Sequence, residues 1–324
     1  MVCSAWPDND SDSCYPCFQM QQRQMLMMQQ QHQQHQQHQR APDAPFGMVG
    51  NVQGTAEVND FGMKIDVSDE MVHKVSEGVM GVFQEMLPTR EEMMSREEVV
   101  GRMDATFRRE YPGTRLQLFG SSGNNFCSKG SDLDLCLHVP EEVLHPEDHR
   151  SSNRRSNDRR RREHQRKEQL AAYVLRLGDT LRRLGMLDVE CIPRARVPIV
   201  KFKHQATPEY TVECDLCVNN FLACLNTELL RAFTFLDWRL RPLVYTIKKW
   251  GKMRQIQDTY RGYLSSYTYT LMVIQFLQRV RILPSLQEIG REQARAACDP
   301  MLSVKGKYDC YFCRETDFLQ VCRA

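Results

Sequence analysis

The chain has 324 residues, a length that allows one compact domain with a tail or two modest domains. Its net charge of only +2 excludes a strongly basic or acidic protein, so any affinity for nucleic acid has to be local. No run of about 18 apolar residues occurs, and the N-terminus lacks the pattern of a signal peptide. We therefore expect no membrane partner and a cytoplasmic location, with the nucleus as the other allowed compartment.

Residues 1–66 are predicted to form a disordered tail, because they contain too little periodic apolar sequence to fold. The tail includes the tract QMQQRQMLMMQQQHQQHQQHQR. Its evenly spaced histidines are better explained by a solvated Gln/His tract than by a metal site. If the chain binds other proteins, we expect this tail to provide the contact.

The thirteen cysteines are scattered through apolar patterns and are expected to be reduced thiols. Three Cys-x-x-Cys pairs occur, at Cys14/Cys17, Cys214/Cys217 and Cys310/Cys313. The middle pair falls on a predicted strand, where positions i and i+3 face opposite sides, so it cannot chelate an ion as a unit. For the outer pairs packing is favoured over zinc, because such a site usually needs a second pair or nearby histidines.

Two helices are predicted at the start of the folded part. Apolar residues recur at helical spacing from Val67 to Met86, with Ser68 and Asp69 as caps. A second helix over about residues 90–110 ends at Pro112-Gly113. Residues 67–110 are expected to pack on a helical domain that follows later in the chain.

The period then changes to that of β-strands. Strands are predicted at RLQLF (115–119), SDLDLCLHV (131–139), ARVPIVKFKH (195–204) and YTVECDLCV (210–218). A helix over about residues 162–184 lies between the second and the third. This order predicts an α+β fold over residues 111–218, in which a helix crosses over a small sheet.

A dense basic segment interrupts this region. Residues 150–167 (RSSNRRSNDRRRREHQRK) contain nine Lys/Arg and two acidic residues, a density that attracts the phosphates of RNA. The segment is also polar, lacks interleaved aromatic residues and falls between predicted elements, as a solvated insertion does. The sequence leaves these two interpretations equal.

Helical patterns return over residues 219–324, in FLACLNTELLRAF, RLRPLVYTIKKWGKMRQ and SSYTYTLMVIQFLQRV. The Met and aromatic residues of these segments follow a stripe that is typical of a core. The sequence therefore predicts a helical region after the sheet.

The stretch LFGSSGNNFCSKGSDLDLC (118–136) combines a Gly-Ser turn with Asp132 and Asp134. On a strand these two aspartates project from one face, about 6 to 7 Å apart. Carboxylates so close are costly unless a cation lies between them, and Mg²⁺ bound together with substrate phosphates suits this ligand set. The turn offers N–H groups and hydroxyls to a phosphate.

A third carboxylate favours a metal site over an ordinary hairpin with solvated aspartates. Asp215 lies in the apolar run VECDLCV, where an unpaired charge would be expensive. Glu213 is two residues away on the same face and is the rival for this role.

Together, Gly120-Ser121, the Asp-x-Asp pair and the distal Asp215 resemble the nucleotidyltransferases of DNA polymerase β type. More narrowly, the chain is similar to RNA-specific terminal nucleotidyltransferases, which include terminal uridylyltransferases and cytoplasmic poly(A) polymerases. The similarity runs from about residue 70 to the C-terminus, excluding the basic insertion. Its most specific stretches are LFGSS, SDLDLC, ARVPIVKF, VNNFLACLNTELL, RPLVYTIKKW and GYLSSYTYTLMV.

The resemblance implies a palm domain over residues 111–218 and a helical PAP-associated domain over residues 219–324. In the family the helical domain continues beyond the point that matches GKYDCYFCRETDF, so the expectation is that it is incomplete here. In the family, the later part carries residues that select the base. Whether this chain is active without that part is therefore left open by the sequence.

The resemblance also implies roles for individual residues. Asp132, Asp134 and Asp215 would bind two metal ions, Mg²⁺ or alternatively Mn²⁺, and Asp215 would activate the 3′-hydroxyl of the RNA. Gly120 and Ser121 would hold the triphosphate. The remaining contacts would be Asn220, Asn226 and Thr227 to sugar and base, Lys248, Lys252 and Ser266 to the outer phosphates, and Tyr267 stacked on the base.

Each of these nucleotide contacts has a structural alternative. Asn226 and Thr227 are typical of a helix N-cap pair. Lys248 and Lys252 are spaced as an exposed i,i+4 face, and Tyr267 is typical of a core aromatic residue. The joint occurrence of the motifs in family order favours the nucleotide-binding interpretation.

The implied activity is template-independent addition of nucleotides from NTP to RNA 3′ ends. LFGSS, SDLDLC, LSSYTYTLMV and LPSLQEI are more like uridylyltransferases, whereas VNN, RPLV and IKKW are more like poly(A) polymerases. UMP is slightly preferred over AMP on this basis. A hypothesis of another class is a catalytically impaired RNA-binding or regulatory form, acting through the basic segment and the Gln-rich tail.

Overall fold

The computed structural model describes residues 67–144, 159–208, 210–296 and 310–314, the side chains of 159–160 and 293–296 excepted, and the backbone of four short strands. The strands are β1 (Glu57–Val58), β2 (Met63–Lys64), β3 (Arg115–Phe119), β4 (Leu133–His138), β5 (Leu187–Ile192), β6 (Ile199–Thr207), β7 (Tyr210–Val218), β8 (Ser303–Val304) and β9 (Tyr308–Asp309). The helices are α1 (Asp69–Met86), α2 (Arg90–Glu110), α3 (Gly120–Gly123), α4 (Glu141–Leu144), α5 (Arg159–Arg183), α6 (Phe221–Leu236), α7 (Leu240–Met253), α8 (Ser266–Arg279) and α9 (Leu286–Ala296).

The predicted disordered tail lies outside the described residues, apart from the antiparallel pair β1–β2. Cys14 and Cys17 also lie outside them. The basic segment is described only from Arg159 onwards, where it is the first part of α5. Within the described part of the chain, no helix has the length and apolar character that crossing a bilayer requires.

A five-stranded mixed sheet in the order β3-β4-β7-β6-β5 forms the centre of the fold. The pair β4–β7 is parallel and the other pairs are antiparallel. The α+β class and the four predicted strands are confirmed, although β6 begins only after Pro198, which cannot donate to a ladder. The strand β5 escaped prediction because Asp188 has φ +49 and the register shifts there, which breaks the alternation.

One face of the sheet packs against α2 and α5 to form a first core. Leu133, Leu135 and Leu137 project from β4 into this core and are at most 1% exposed. Met103 and Phe107 of α2 lie in the same core. We expected residues 67–110 to pack as a whole on the helical region, but α2 packs on the sheet instead. The apolar stripe of a helix predicts that this face is buried, but not which element covers it.

A second core lies among α1, α6, α7 and α8. Phe83 of α1 meets Tyr245 of α7 edge to face, with ring centroids 5.1 Å apart, and Arg241 lies over the Phe83 ring. Ser68 caps α1 by accepting a hydrogen bond from the Met71 N–H. The first N-terminal helix thus joins the helical core across more than 150 residues of chain.

Candidate active site

Three carboxylates meet at one end of the strand pair β4–β7. Asp134 and Asp215 are direct register partners in the parallel pairing. Asp132 comes two residues before Asp134, immediately ahead of β4, on the same side of the chain. The structure thus brings together the three carboxylates that the sequence singled out.

Burial and the neighbouring carboxylates disfavour the charged forms of Asp132 and Asp134. The pKa of Asp134 is raised to about 7, first by burial and then by the neighbouring Asp215 and Asp132. Burial also raises the pKa of Asp132, with further contributions from Glu213 and Asp215. Carboxylate oxygens are hard donors, and the negative charges of Asp132 and Asp134 are costly in this environment. Such a group is suited to a divalent cation.

Lys201 is a basic member of the site that the sequence did not reveal. Its Nζ donates to both carboxylate oxygens of Asp215, at 2.9 and 3.2 Å, and this hydrogen bond raises the pKa of Lys201. Lys201 lies opposite Asp215 in the β6–β7 register. Lys201 is recognised as a site residue only from this strand register, which the local sequence pattern cannot specify.

The Gly-Ser turn lies directly against Asp134. Phe119 pairs with Asp134 across β3–β4, so Gly120 follows beside the carboxylate. Gly120 has φ +64, and a Cβ atom there would lie 2.0 Å from Asp134 Oδ2. Its N–H donates to Thr227 Oγ1 at 3.0 Å, so any phosphate contact of this turn has to come from other groups.

Arg96 supports the turn and the aspartate segment from α2. Its side chain is 4% exposed, and Nη1 donates to Ser122 Oγ at 3.2 Å and to the Asp132 carbonyl at 3.4 Å. Nη2 donates to the carbonyl of Ser131. The sequence carried a signal for it, since Arg96 lies on the same buried helix face as Val99, Val100 and Met103.

The α6 residues expected to contact sugar and base lie beside the turn. Asn220 is the N-cap of α6, but without a side-chain capping bond. Asn226 and Thr227 lie inside the helix, so the alternative of an N-cap pair is wrong. Thr227 is buried and links α6 to the backbone of Gly120. Asn226 is half-buried.

The two lysines of α7 have different surroundings. Lys248 is half-buried, and its Nζ donates to the Phe126 carbonyl at 3.1 Å. Burial lowers the pKa of Lys248, and the nearby Lys252 lowers it further. Lys252 itself is exposed. The alternative of a simple exposed face therefore does not hold for Lys248.

The loop after the Gly-Ser turn is fastened to α7 at three consecutive carbonyls. Arg241 Nε donates to the carbonyl of Asn125 at 3.0 Å. Lys248 donates to the next carbonyl, as described above, and Tyr245 Oη donates to that of Cys127. We call Asn125–Cys127 the anchored loop. It couples the helical core to the segment between the turn and the aspartates.

Ser266 and Tyr267 open α8, directly after the N-cap residue Ser265. Both side chains are exposed, and Tyr267 is 39% exposed. The alternative that Tyr267 is a core aromatic residue is therefore wrong. Its ring is accessible to a stacking partner.

The raised pKa of Asp134 predicts that, without divalent ions, the fold loses stability as pH rises. The folded chain keeps this proton up to about pH 7, whereas an unfolded aspartate loses it at about pH 4. The unfolding free energy should fall across that window by on the order of a few kcal/mol. Urea unfolding in EDTA at pH 5 and pH 8 measures the fall. Asp134→Asn should reduce it, and an equal fall in both proteins would contradict the assignment.

Comparison with known families agrees with this geometry. Residues 75–234 match the family model of the central palm domain of mitochondrial-like poly(A) RNA polymerase. The sheet, the turn and the carboxylates therefore form a nucleotidyltransferase palm of polymerase β type, as the sequence predicted. This part of the chain is similar to that palm family.

The curated relatives are RNA terminal nucleotidyltransferases, which confirms the resemblance stated from the sequence. The chain is 36% identical over 239 residues to terminal uridylyltransferase 7 of Homo sapiens, a match that covers 73% of this chain and 14% of the relative. It is 36% identical over 228 residues to poly(A) RNA polymerase GLD2 of Homo sapiens, covering 69% of this chain and 43% of the relative. The chain thus spans less than half the length of either relative.

Solved structures give the same result. A mutant of mtPAP in complex with ATPγS aligns with a TM-score of 0.59 and 26% identity, covering 74% of this chain and 49% of that one. The Cid1 poly(U) polymerase with MgGTP bound aligns with a TM-score of 0.50 and 28% identity, covering 63% and 56%. These likenesses confirm the predicted fold.

Proposed function

We propose that this chain transfers nucleoside monophosphates from NTP to the 3′ end of RNA without a template, with UMP preferred over AMP. The observation that carries the proposal is the register pairing of Asp134 with Asp215, with Asp132 alongside and Gly120 against Asp134. Relatives named for uridylyl transfer and for poly(A) synthesis support the reaction class.

Asp132, Asp134 and Asp215 are the residues that would hold divalent ions, Mg²⁺ or alternatively Mn²⁺. The site fits such ions because its donors are carboxylate oxygens, and because burial and neighbouring carboxylates make the charges of Asp132 and Asp134 costly. Bound ions of this kind neutralise the triphosphate and acidify an attacking hydroxyl. The protein contributes the spacing of the carboxylates, which the β4–β7 register fixes.

Asp215 would accept the proton of the RNA 3′-hydroxyl. Lys201 donates to both oxygens of Asp215, which orients the carboxylate. The hydroxyl then attacks the α-phosphorus in line, the bond to the β-phosphate oxygen breaks, and pyrophosphate leaves. Lys201 thus acts as a positioning residue for the proton acceptor.

The triphosphate and the nucleoside would lie between the turn and the helical core. Ser121 would contact the triphosphate from the turn, with Gly120 allowing its close approach. The other proposed contacts are Lys248, Lys252 and Ser266 to the outer phosphates, Asn220, Asn226 and Thr227 to the nucleoside, and Tyr267 to the base. The accessible ring of Tyr267 and the link from Thr227 to the turn support this arrangement.

The two cores support a division into a palm, proposed over residues 111–218 and completed by α2, and a helical PAP-associated domain, proposed over residues 219–324. We propose that α1 contributes to the helical domain. We also propose that the chain works in the cytoplasm, since the six cysteines from Cys127 to Cys224 are free thiols, as in a reducing compartment. Its tail over residues 1–66 would be the place for protein partners.

AMP addition is the second candidate, because GLD2 is as similar to this chain as the uridylyltransferase is. The test incubates the purified chain with a short RNA, Mg²⁺ and each NTP separately. We expect extension by UTP to exceed extension by ATP. Extension by ATP alone would replace the first candidate with the second.

The regulatory alternative has its own outcome in the same experiment. RNA binding without extension by any NTP would contradict both catalytic proposals and favour a form that only binds RNA. The double variant Asp132→Ala/Asp134→Ala is the background control, because any extension it retains comes from a contaminating enzyme or from a different site.

A further inference from the structure

A cluster of buried thiols lies on the same sheet face as the carboxylates. Cys136 of β4 and Cys217 of β7 are register partners, each two residues beyond Asp134 and Asp215 respectively. Because side chains alternate along a strand, acid pair and thiol pair are successive rungs of one face. The thiols of Cys136 and Cys217 are at most 2% exposed.

A third thiol and an imidazole complete the cluster. Cys224 comes from the first turns of α6 and is 3% exposed. The ligand atoms of Cys136, His138 and Cys224 all lie within 4.8 Å of one another. His138 follows Cys136 on the same face of β4, and its Nε2 lies 3.9 Å from Cys224 Sγ.

The strand geometry separates this cluster from the Cys-x-x-Cys pair seen in the sequence. Cys214 lies in the core on the α2 and α5 side of the sheet. Cys217 packs with Cys136 and Cys224 on the opposite side. The expectation that Cys214 and Cys217 cannot chelate together is confirmed, and Cys217 instead has two other thiols as neighbours.

We propose that Cys136, Cys217, Cys224 and His138 form a structural site for one Zn²⁺ ion. Three thiolates and one imidazole are a common structural zinc set, with Zn–S bonds of about 2.3 Å and hence sulfurs about 3.8 Å apart. Three of the ligand atoms, those of Cys136, His138 and Cys224, need only a small contraction to reach this geometry. Cys217, the register partner of Cys136, packs beside them and would turn its thiol toward the ion as the fourth ligand. The donors come from three elements, β4, β7 and α6, as in a site that fastens a fold.

Zinc binding would change the protonation and hydrogen bonds of the cluster. Each of the three thiols releases its proton to solvent as its sulfur becomes a ligand. His138 Nε2, now 2.7 Å from Gln117 Oε1, would exchange that hydrogen bond for the metal. Cys136 Sγ, which lies 3.3 Å from the Asn220 backbone nitrogen, would keep that N–H as an outer partner.

A metal ion here would fix the elements that carry the proposed active site without contacting substrate. β4 carries Asp134, β7 carries Asp215, and α6 carries Thr227, which holds Gly120. The ion would therefore help to fix the spacing of the carboxylate pair from two residues further along the same sheet face. This role does not depend on which nucleotide the chain transfers.

The test measures the metal content of the purified full chain by mass spectrometry, with excess Mg²⁺ present to occupy carboxylate sites. We expect about one tightly held zinc ion per chain. Exchange with Co²⁺ should give an intense sulfur-to-cobalt absorption band in the near ultraviolet. Co²⁺ held by the histidines of the tail gives no thiolate band, so this readout separates the two.

Cys217→Ala and Cys214→Ala are matched variants, because both remove a buried thiol from β7 on opposite faces of the sheet. Cys217→Ala should lose the band and most of the zinc, whereas Cys214→Ala should keep both. Equal loss or equal retention in the two variants would overturn the site. The absence of both zinc and the band from the wild-type chain would also overturn it, whether or not the variants fold.

Discussion

Asp134→Ala and Asp215→Ala should each reduce nucleotide addition to RNA by at least about 10³-fold. Each change removes a carboxylate that would hold a divalent ion at the reacting phosphate, and such ions supply several kcal/mol of transition-state stabilisation. The folded state should survive in Asp134→Ala, because burial and repulsion make the charge of Asp134 costly. It should also survive in Asp215→Ala, because that change removes only a partly exposed ion pair with Lys201. Single-turnover extension of a labelled RNA measures the loss, and thermal unfolding in EDTA measures the fold.

Glu213→Ala is the matched control for Asp215→Ala. Glu213 lies two residues earlier on the same face of β7, but it is exposed and lies opposite Lys203 rather than Lys201. We expect its activity to stay within about threefold of wild type, as for a surface residue. If Glu213→Ala were as inactive as Asp215→Ala, Glu213 would share the role. An active Asp215→Ala would remove Asp215 from the proposed site.

Gly120→Ala should reduce nucleotide addition by about 10²-fold or more. The added methyl group would lie 2.0 Å from Asp134 Oδ2, so either the turn or the carboxylate has to move. A displacement of about 1 Å at a reacting centre is enough for a loss of that size. The positive φ at Gly120 adds on the order of 1 kcal/mol of backbone strain. Extension rate and urea unfolding should be measured on the same preparation.

Gly130→Ala separates the clash from the backbone strain. Gly130 has φ +66, almost the same as Gly120, but a Cβ atom there meets nothing within 4 Å. It should therefore lose a similar small amount of stability and keep most of its activity. If both variants lost activity equally, backbone strain would be the cause. The close approach of Gly120 to Asp134 would then not be needed for activity.

Local pattern was sufficient to predict the strands that carry the carboxylates. Alternation along 131–139 placed Asp132 and Asp134 on one face, and the apolar run around Asp215 marked a charge in need of a partner. The structure agrees because β4 and β7 are regular central strands, whose alternate apolar side chains enter the first core while the carboxylates lie on the opposite face.

Pairing between distant segments was beyond the reach of local pattern. The parallel register that sets Asp134 beside Asp215 joins strands about 80 residues apart in the chain. Lys201 and the thiol cluster depend on the same kind of register, and Arg96 depends on how α2 lies on the sheet. The pattern of a single segment predicts which residues share a face of a strand or helix. Which residues become neighbours across the sheet depends on the strand order and register.

The anchored loop limits how the two cores can move. Three side chains of one helix hold three successive carbonyls, and Thr227 holds Gly120 just ahead of them. Swinging the helical core away from the sheet would have to break these bonds together, each worth about 1 kcal/mol or more when buried. The anchored loop is therefore a point at which the two cores are held together. Any movement of the helical core relative to the sheet is expected to be smallest at the anchored loop.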